Sequence, residues 1–282
     1  MKTGMNLLLW TTEVTAEHDV LLDQIKEIGF DSVEVPIFNV ADVAPYERLG
    51  KRLKSLGLGA TAVTVMSPEA NPISPDPVIR NAAVAYLDKV LACGAAFGCE
   101  ILCGPLHSAI GHFSGQGPTE EEFKAGIETM SRAAEKAQGH GIRLGIEYLN
   151  RFEIYFLTTA AQTSRFVRAV NHPYLKMMYD SFHAHIEEKN QAQAILSCKD
   201  ETIHVHISEN DRGVPGTGQV DWDSFFAGLK QSGYDGYVTI EAFGRALPAL
   251  AAATRVWRDL FPDALGLCRD GLAFIKKRAK LA

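Results

Sequence analysis

The stretch Leu144-Gly145-Ile146-Glu147 is an apolar run of strand length that ends in a carboxylate. Three later apolar runs follow at intervals of roughly 30 residues, about the size of one strand–helix unit, and they end in Asp180, His206 and Glu241. A polar residue is a poor core residue at the end of an apolar strand, but it is typical of a functional site at the C-terminal rim of a parallel barrel. The pattern therefore predicts that these four side chains meet at one rim.

Helices that end in glycine precede short apolar strands throughout the chain. Five glycines occupy this position: Gly29, Gly57, Gly98, Gly141 and Gly233. Glycine relieves the left-handed backbone conformation that ends a helix. The repetition indicates that helices and strands alternate regularly.

This alternation predicts eight strands. They are expected near residues 5–9, 32–36, 60–65, 99–103, 143–147, 175–180, 202–207 and 237–241. Helices are expected near 16–28, 44–56, 78–97, 119–139, 159–170, 186–197 and 222–232, with a longer helical tail over much of 247–280. Because the strands are mostly apolar on both faces, helices should cover a parallel sheet. We expect an α/β fold, with residues 1–282 forming a single (β/α)8 TIM barrel domain that carries a C-terminal helical tail.

An open dinucleotide-binding sheet fits the sequence less well. No Gly-x-Gly-x-x-Gly motif follows the first predicted strand. Gly115-Gln116-Gly117 and Gly216-Thr217-Gly218 do not complete that motif, and both lie in predicted loops. They are expected to be flexible or to cover a site rather than to bind phosphate.

The composition excludes several classes of partner. The chain is 46% hydrophobic and 22% charged, with a net charge of −6 and no basic block, which argues against a nucleic-acid partner. No apolar run reaches the roughly 18 residues that a membrane span requires, so no membrane partner is expected. The N-terminus lacks a signal-peptide pattern, and the five cysteines lack metal-like spacing. A cytoplasmic protein with free thiols is expected.

The four strand-end residues form a typical donor set for a hard divalent cation. Any one of these carboxylates could instead cap the helix that follows it, but four together favour a metal site. Three carboxylates and one imidazole predict one ion per chain: Mn²⁺ foremost, with Mg²⁺ and Co²⁺ as alternatives. Zn²⁺ would be better suited by more histidine or cysteine ligands.

Further polar residues lie in the loops that follow these strands. His183 comes three residues after Asp180, Arg212 follows His206, and Glu153 follows Glu147. His107 lies shortly after the fourth predicted strand. We interpret all four as substrate-binding candidates, although each could be a solvated loop residue.

Two polar residues lie within predicted strands. His204 shares a strand face with His206, because side chains alternate between the faces of a strand. It is expected to pack or to support the metal ligands. Glu34, near the end of the second strand, could support the ligands or contact the substrate.

The combined motifs resemble those of the ketose 3-epimerases, the group of D-tagatose, D-allulose and L-ribulose 3-epimerases within the xylose-isomerase-like barrels. The similarity spans the first to the eighth strand and is carried by Gly145-Ile146-Glu147, Asn150-Arg151-Phe152-Glu153, Asp180-Ser181-Phe182-His183, His204-Val205-His206, Ser208-Glu209-Asn210-Asp211-Arg212-Gly213 and Ile240-Glu241-Ala242-Phe243.

The resemblance implies an activity and a set of roles. It implies metal-dependent epimerisation of free ketoses at C3 through an enediolate. The metal ligands would be Glu147, Asp180, His206 and Glu241; Glu147 and Glu241 would also transfer protons, and Glu153, His183 and Arg212 would contact the sugar. The resemblance also implies a homodimer or homotetramer.

Several alternatives remain open from the sequence. An aldose–ketose isomerase on the same barrel would act at C1 and C2, and an inosose-type dehydratase would release water. An endonuclease of abasic DNA would need additional ligands, but no histidine follows the third predicted strand in Val65-Met66-Ser67. A non-catalytic sugar-binding barrel would not need a pair of proton-transfer carboxylates.

Overall fold

The computed structural model describes residues 1–281 and shows a closed barrel of eight parallel strands. The strands pair in chain order and β1 pairs with β8. Their bounds are β1 Lys2–Asn6, β2 Ser32–Pro36, β3 Gly59–Val63, β4 Ile101–Gly104, β5 Arg143–Glu147, β6 Leu175–Asp180, β7 Thr202–Ile207 and β8 Tyr237–Ile240. The (β/α)8 barrel expected from the sequence is therefore confirmed.

Helices surround the barrel. Their bounds are α1 Asp19–Ile28, α2 Ala44–Leu56, α3 Pro77–Phe97, α4 Glu120–His140, α5 Ala160–Val170, α6 Ser181–Glu187, α7 Gln191–Ser197, α8 Trp222–Ser232, α9 Pro248–Thr254 and α10 Ala264–Leu281. Five of them end at a glycine with positive φ, as at Gly29 and Gly141. No helix in the described part of the chain is both long and apolar enough to cross a membrane.

The strand register brings the polar strand ends together. Asp180 pairs with His206 across β6 and β7. Ile207 pairs with Ile240, and the next amide, that of Glu241, donates to the Ile207 carbonyl at 3.2 Å. Since all strands run parallel, these residues lie at one rim.

Two predicted elements differ from the structure. β1 ends at Asn6, and Leu7–Leu9 form a 3₁₀ turn, because the Asn6 side chain accepts a hydrogen bond from the Leu8 amide. The predicted helix at 186–197 is two helices, α6 and α7. Helix α6 begins at Ser181, earlier than predicted, because the Asp180 carboxylate accepts hydrogen bonds from the amides of Phe182 and His183. The helical tail predicted over much of 247–280 is confirmed, and it consists of two helices, α9 and α10.

Candidate active site

The four strand-end residues meet in a buried cluster at the C-terminal mouth of the barrel. Glu147, Asp180, His206 and Glu241 each offer one ligand atom, and these atoms all lie within 4.8 Å of one another. No more than 5% of any of the four residues is exposed to solvent. The closure of the barrel explains this meeting of residues that lie far apart in the sequence.

The cluster fits a divalent cation. His206 Nδ1 lies 3.4 Å from Asp180 Oδ2 and 3.5 Å from Glu241 Oε1. Despite these distances, it has no hydrogen-bond partner of acceptable geometry among residues 1–281. Buried nitrogen atoms are normally satisfied, and three carboxylates around one imidazole are the donors of a hard or borderline cation. These residues could therefore hold a metal ion.

The other nitrogen of the His206 ring contacts Glu34. His206 Nε2 lies 2.7 Å from Glu34 Oε1. Burial alone would raise the pKa of Glu34, but the charges of His206 and His204 outweigh it and hold that pKa well below its usual range. Glu34 is therefore an anion inside the barrel.

The two glutamates of the cluster have opposite protonation tendencies. Burial and the neighbouring Glu241 raise the pKa of Glu147 well above its usual range. Burial acts in the same direction on Glu241, but Arg212 and His206 outweigh it and lower its pKa. Arg212 Nη1 lies 2.5 Å from Glu241 Oε2. The surroundings thus shift the pKa values of the two carboxyl groups in opposite directions.

Arg212 is a buried cation fixed on several sides. Its Nη1 donates to Ser208 Oγ at 2.8 Å, and its guanidinium carbon lies 3.7 Å from the centre of the Phe182 ring. The residue has a φ of 67°, a conformation that few residues other than glycine adopt. Its amide donates to the Glu209 carbonyl at 2.9 Å, so a tight turn directs the guanidinium back over the cluster.

His183 presents an N–H to the cavity. Its Nδ1 accepts from the Asn150 backbone amide at 3.0 Å, so the proton of the neutral ring lies on Nε2. Burial lowers the pKa of His183 to about 3, which keeps the ring neutral. His183 Nε2 and Arg212 Nη2 are 3.2 Å apart. Because both are donors in this arrangement, they do not bond to each other, and an acceptor atom in the cavity that faces both nitrogens could receive both hydrogen bonds.

Glu153 and His107 have different positions relative to the cavity. Glu153 faces it, held by the Asn150 side-chain amide at 2.7 Å, and burial raises its pKa. His107 is fully buried, with Nε2 2.9 Å from the Glu147 carbonyl oxygen and Nδ1 2.9 Å from Ser108 Oγ. Both ring nitrogens thus have protein partners, and the ring does not line the cavity. Through the Glu147 carbonyl, His107 supports the end of β5, and its role as a substrate contact stays a prediction.

A cavity of about 190 Å³ opens beside the cluster. This volume is below the roughly 300–1,000 Å³ of clefts for drug-sized ligands, so it suits a small molecule. Its charged and imidazole lining comes from the second half of the barrel: Glu147, Glu153, His183, Arg212 and Glu241. The lining from the first half is apolar: Leu8, Phe38, Val63, Val65, Pro105 and Ile110.

The sequence analysis missed two residues that support the site. Asn6 Nδ2 donates to Glu34 Oε1 at 2.9 Å and lies 3.4 Å from Glu241 Oε1. Thr61 Oγ1 donates to Glu34 Oε2 at 2.9 Å. Both are buried polar residues on strands. The occurrence of polar residues inside apolar strands was the signal that could have identified them.

Comparison with known proteins agrees with this geometry. Residues 22–277 match the family model described as xylose isomerase-like TIM barrel. The chain is 31% identical to a ketose 3-epimerase of Arthrobacter globiformis, over 99% of this chain and 96% of that protein. It is 34% identical to an L-ribulose 3-epimerase of Methylomonas sp., over 89% of this chain and 87% of that one.

A solved structure shows the same relationship. The D-allulose 3-epimerase from Methylomonas sp., crystallised in complex with D-allulose, superposes with a TM-score of 0.91 at 31% identity, covering 99% of this chain and 97% of that one. The chain belongs to the xylose isomerase-like TIM barrel family and, within it, to the ketose 3-epimerases.

Proposed function

We propose that this protein is an isomerase that inverts the configuration of free ketoses at C3 and depends on a divalent metal ion. The observation that carries the proposal is the placement of Glu147 and Glu241 in one buried cavity, beside the N–H donors of His183 and Arg212. The names of the relatives support the substrate class, since they include ketose and L-ribulose 3-epimerases.

The reaction requires two proton-transfer groups. Epimerisation removes the proton from C3, next to the carbonyl, and returns a proton to the opposite face. One carboxylate must accept while the other carboxyl group donates. We assign these roles to Glu147 and Glu241, which exchange them when the reaction runs in reverse. A divalent ion held by Glu147, Asp180, His206 and Glu241 would act as a Lewis acid that stabilises the negative charge of the enediolate.

The two N–H donors act on the oxygen that gains charge. His183 Nε2 and Arg212 Nη2 lie 3.2 Å apart in the cavity lining, so one acceptor atom in the cavity could receive a hydrogen bond from each. We propose that the ketose carbonyl oxygen occupies this position, where fixed donors stabilise developing charge. Glu153 accepts a hydrogen bond from a hydroxyl group of the sugar.

Two further properties are part of the proposal. The metal is Mn²⁺, with Mg²⁺ or Co²⁺ as alternatives, because three of four ligands are carboxylates. The chain assembles as a homodimer or homotetramer, for which the exposed aromatic side chains Phe152 and Trp257 are candidate contacts. Sedimentation analysis tests the assembly.

The decisive assay uses metal-stripped protein reconstituted with Mn²⁺, Mg²⁺ or Co²⁺ against a panel of ketohexoses and ketopentoses. NMR of the products identifies the carbon that has changed. Appearance of the C3 epimer, and its loss in Asp180→Asn together with metal occupancy, is expected. Formation of an aldose, or no turnover with any metal and any ketose, would contradict the proposal.

A further inference from the structure

Glu34 is a buried carboxylate next to the site whose oxygens are surrounded by polar side chains. It is fully buried on β2, inside the barrel. Its oxygens contact five side chains: Asn6 Nδ2 at 2.9 Å, Thr61 Oγ1 at 2.9 Å, Cys103 Sγ at 3.2 Å, His204 Nε2 at 2.8 Å and His206 Nε2 at 2.7 Å. It lines no part of the cavity, so it cannot serve as a substrate contact there.

We propose that Glu34 is a positioning residue that fixes His206 for metal binding. An imidazole that ligates a metal ion through one nitrogen is neutral and keeps one proton. Because a carboxylate can only accept, the contact with Glu34 Oε1 places that proton on Nε2 of His206. The lone pair of Nδ1 is then directed at the three carboxylates of the cluster. A carboxylate behind a ligating histidine also makes the imidazole a stronger ligand. This inference rests on the proposed metal-dependent function.

The surroundings of Glu34 hold its carboxylate in the required orientation. Thr61 and Cys103 donate to Oε2, and His204 lies against the same oxygen. Oε1 is thereby left to His206 and Asn6. Glu34 and the residues that contact it lie on β1 to β4, the first half of the barrel, and on β7.

Asn6 extends this arrangement to a second ligand. The amide nitrogen that donates to Glu34 Oε1 also lies 3.4 Å from Glu241 Oε1. Glu34 therefore contacts His206 directly and is linked to Glu241 through one amide group. A change at Glu34 should alter the binding of the ion more than the substrate contacts of Arg212 and His183.

Glu34→Gln tests the proposal, because glutamine keeps the shape and removes the charge. We expect the Mn²⁺ dissociation constant, measured by EPR of free Mn²⁺, to rise about 10–100-fold. Saturating Mn²⁺ should restore most of kcat, which would not occur if the variant were misfolded. Thr61→Val removes one donor to Glu34 but leaves the His206 contact, so its effect should be smaller.

Glu201→Gln is the matched control. Glu201 is also a buried carboxylate, bonded to Arg168 and Ser164 and outside the cluster. Loss of the Glu201 charge should change the melting temperature of protein from which a chelator has removed the metal. It should leave the Mn²⁺ dissociation constant unchanged. If the Glu34→Gln variant does not fold, Glu34→Asp is used instead, because the shorter side chain withdraws the carboxylate from His206. The same loss of Mn²⁺ affinity is expected.

The possible results are distinguishable. Mn²⁺ affinity equal to wild type in the Glu34 variant, or a loss of activity that excess Mn²⁺ does not restore, would overturn the positioning role and leave the proposed function standing. Absence of Mn²⁺ binding by the wild-type protein would overturn the proposed metal-dependent function, and this inference with it.

Discussion

The two halves of the barrel differ at the mouth although their backbones are alike. The strands β5 to β8 end at or next to Glu147, Asp180, His206 and Glu241, whereas the half built on β1 to β4 contributes apolar side chains to the cavity. The chemistry is therefore concentrated in one half. The barrel supplies a common rim, and the residue at each strand end decides what the rim can do.

The polar residues of the first half lie deeper inside the barrel than the residues that line the cavity. Asn6 and Thr61 each donate a hydrogen bond to Glu34 inside the barrel, and Glu34 contacts His206 from the other half. The second half therefore supplies polar residues at the mouth, and the first half supplies buried polar residues that support them.

The largest effect is expected for Glu241→Gln, in the polar half. Loss of one proton-transfer group should lower kcat by about 10²–10⁴-fold. Rates of C3 epimerisation at saturating Mn²⁺ check this, with metal occupancy measured on the same sample. A rate within tenfold of wild type in the metal-loaded variant would remove Glu241 from the proposed pair.

Arg212→Ala is expected to have the next largest effect. Removal of a preorganised donor should lower kcat/KM by an amount equivalent to about 2–4 kcal/mol of lost transition-state stabilisation. Arg212→Lys should recover only part of this, because lysine keeps the charge without the planar fork. Wild-type kinetics in Arg212→Ala would show that the guanidinium, although buried at the cluster, does not act on the substrate.

Substitutions in the apolar half should lower kcat/KM less than substitutions in the polar half. Val65 lines the cavity and is partly buried. Val65→Ala removes two carbons, each worth about 0.8 kcal/mol when fully buried. Because Val65 is only partly buried, we expect roughly half of that sum, which corresponds to a loss of about fivefold in kcat/KM. Mn²⁺ affinity should not change. A loss as large as that of Arg212→Ala would mean that the two halves do not divide their roles as we describe.

The smallest effect concerns stability away from the mouth. Arg168 lowers the pKa of Glu201, so the ionised carboxylate stabilises the fold above the unfolded pKa of about 4.3. This contribution is lost as pH falls through the lower, folded pKa. Because Arg168 is 59% exposed, less than about 1 kcal/mol is expected. Denaturant unfolding of wild type and Glu201→Gln from pH 7 to 3 should show two curves that converge with acidification. Parallel curves would contradict it.

Much of the architecture followed from local signals. Glycines after helices and apolar runs with polar ends are short-range patterns, and they predicted the barrel and the four residues of the cluster. The N-terminal strand was misplaced because Met5–Leu9 is apolar throughout, while a side-chain contact of Asn6 ends the strand.

Other features depend on contacts distant in the sequence. The direction of the His107 ring is set by Glu147 and Ser108, one of them 40 residues away. The cross-barrel contact of Glu34 with His206 joins residues 172 apart. Periodicity does not contain such information, since it reports which face a residue occupies and not which partner it meets.

The origin of the hydrogen at C3 is the most direct test of the two-carboxylate account. Turnover of a ketose in D₂O by the Mn²⁺-loaded protein, followed by NMR of the product, distinguishes the possibilities. If Glu147 and Glu241 work on opposite faces, solvent deuterium appears at C3 of the epimer, with little transfer of the original hydrogen. Full retention of the substrate hydrogen at C3, or deuterium only at C1, would contradict the account; the C1 result would indicate an aldose–ketose isomerase instead.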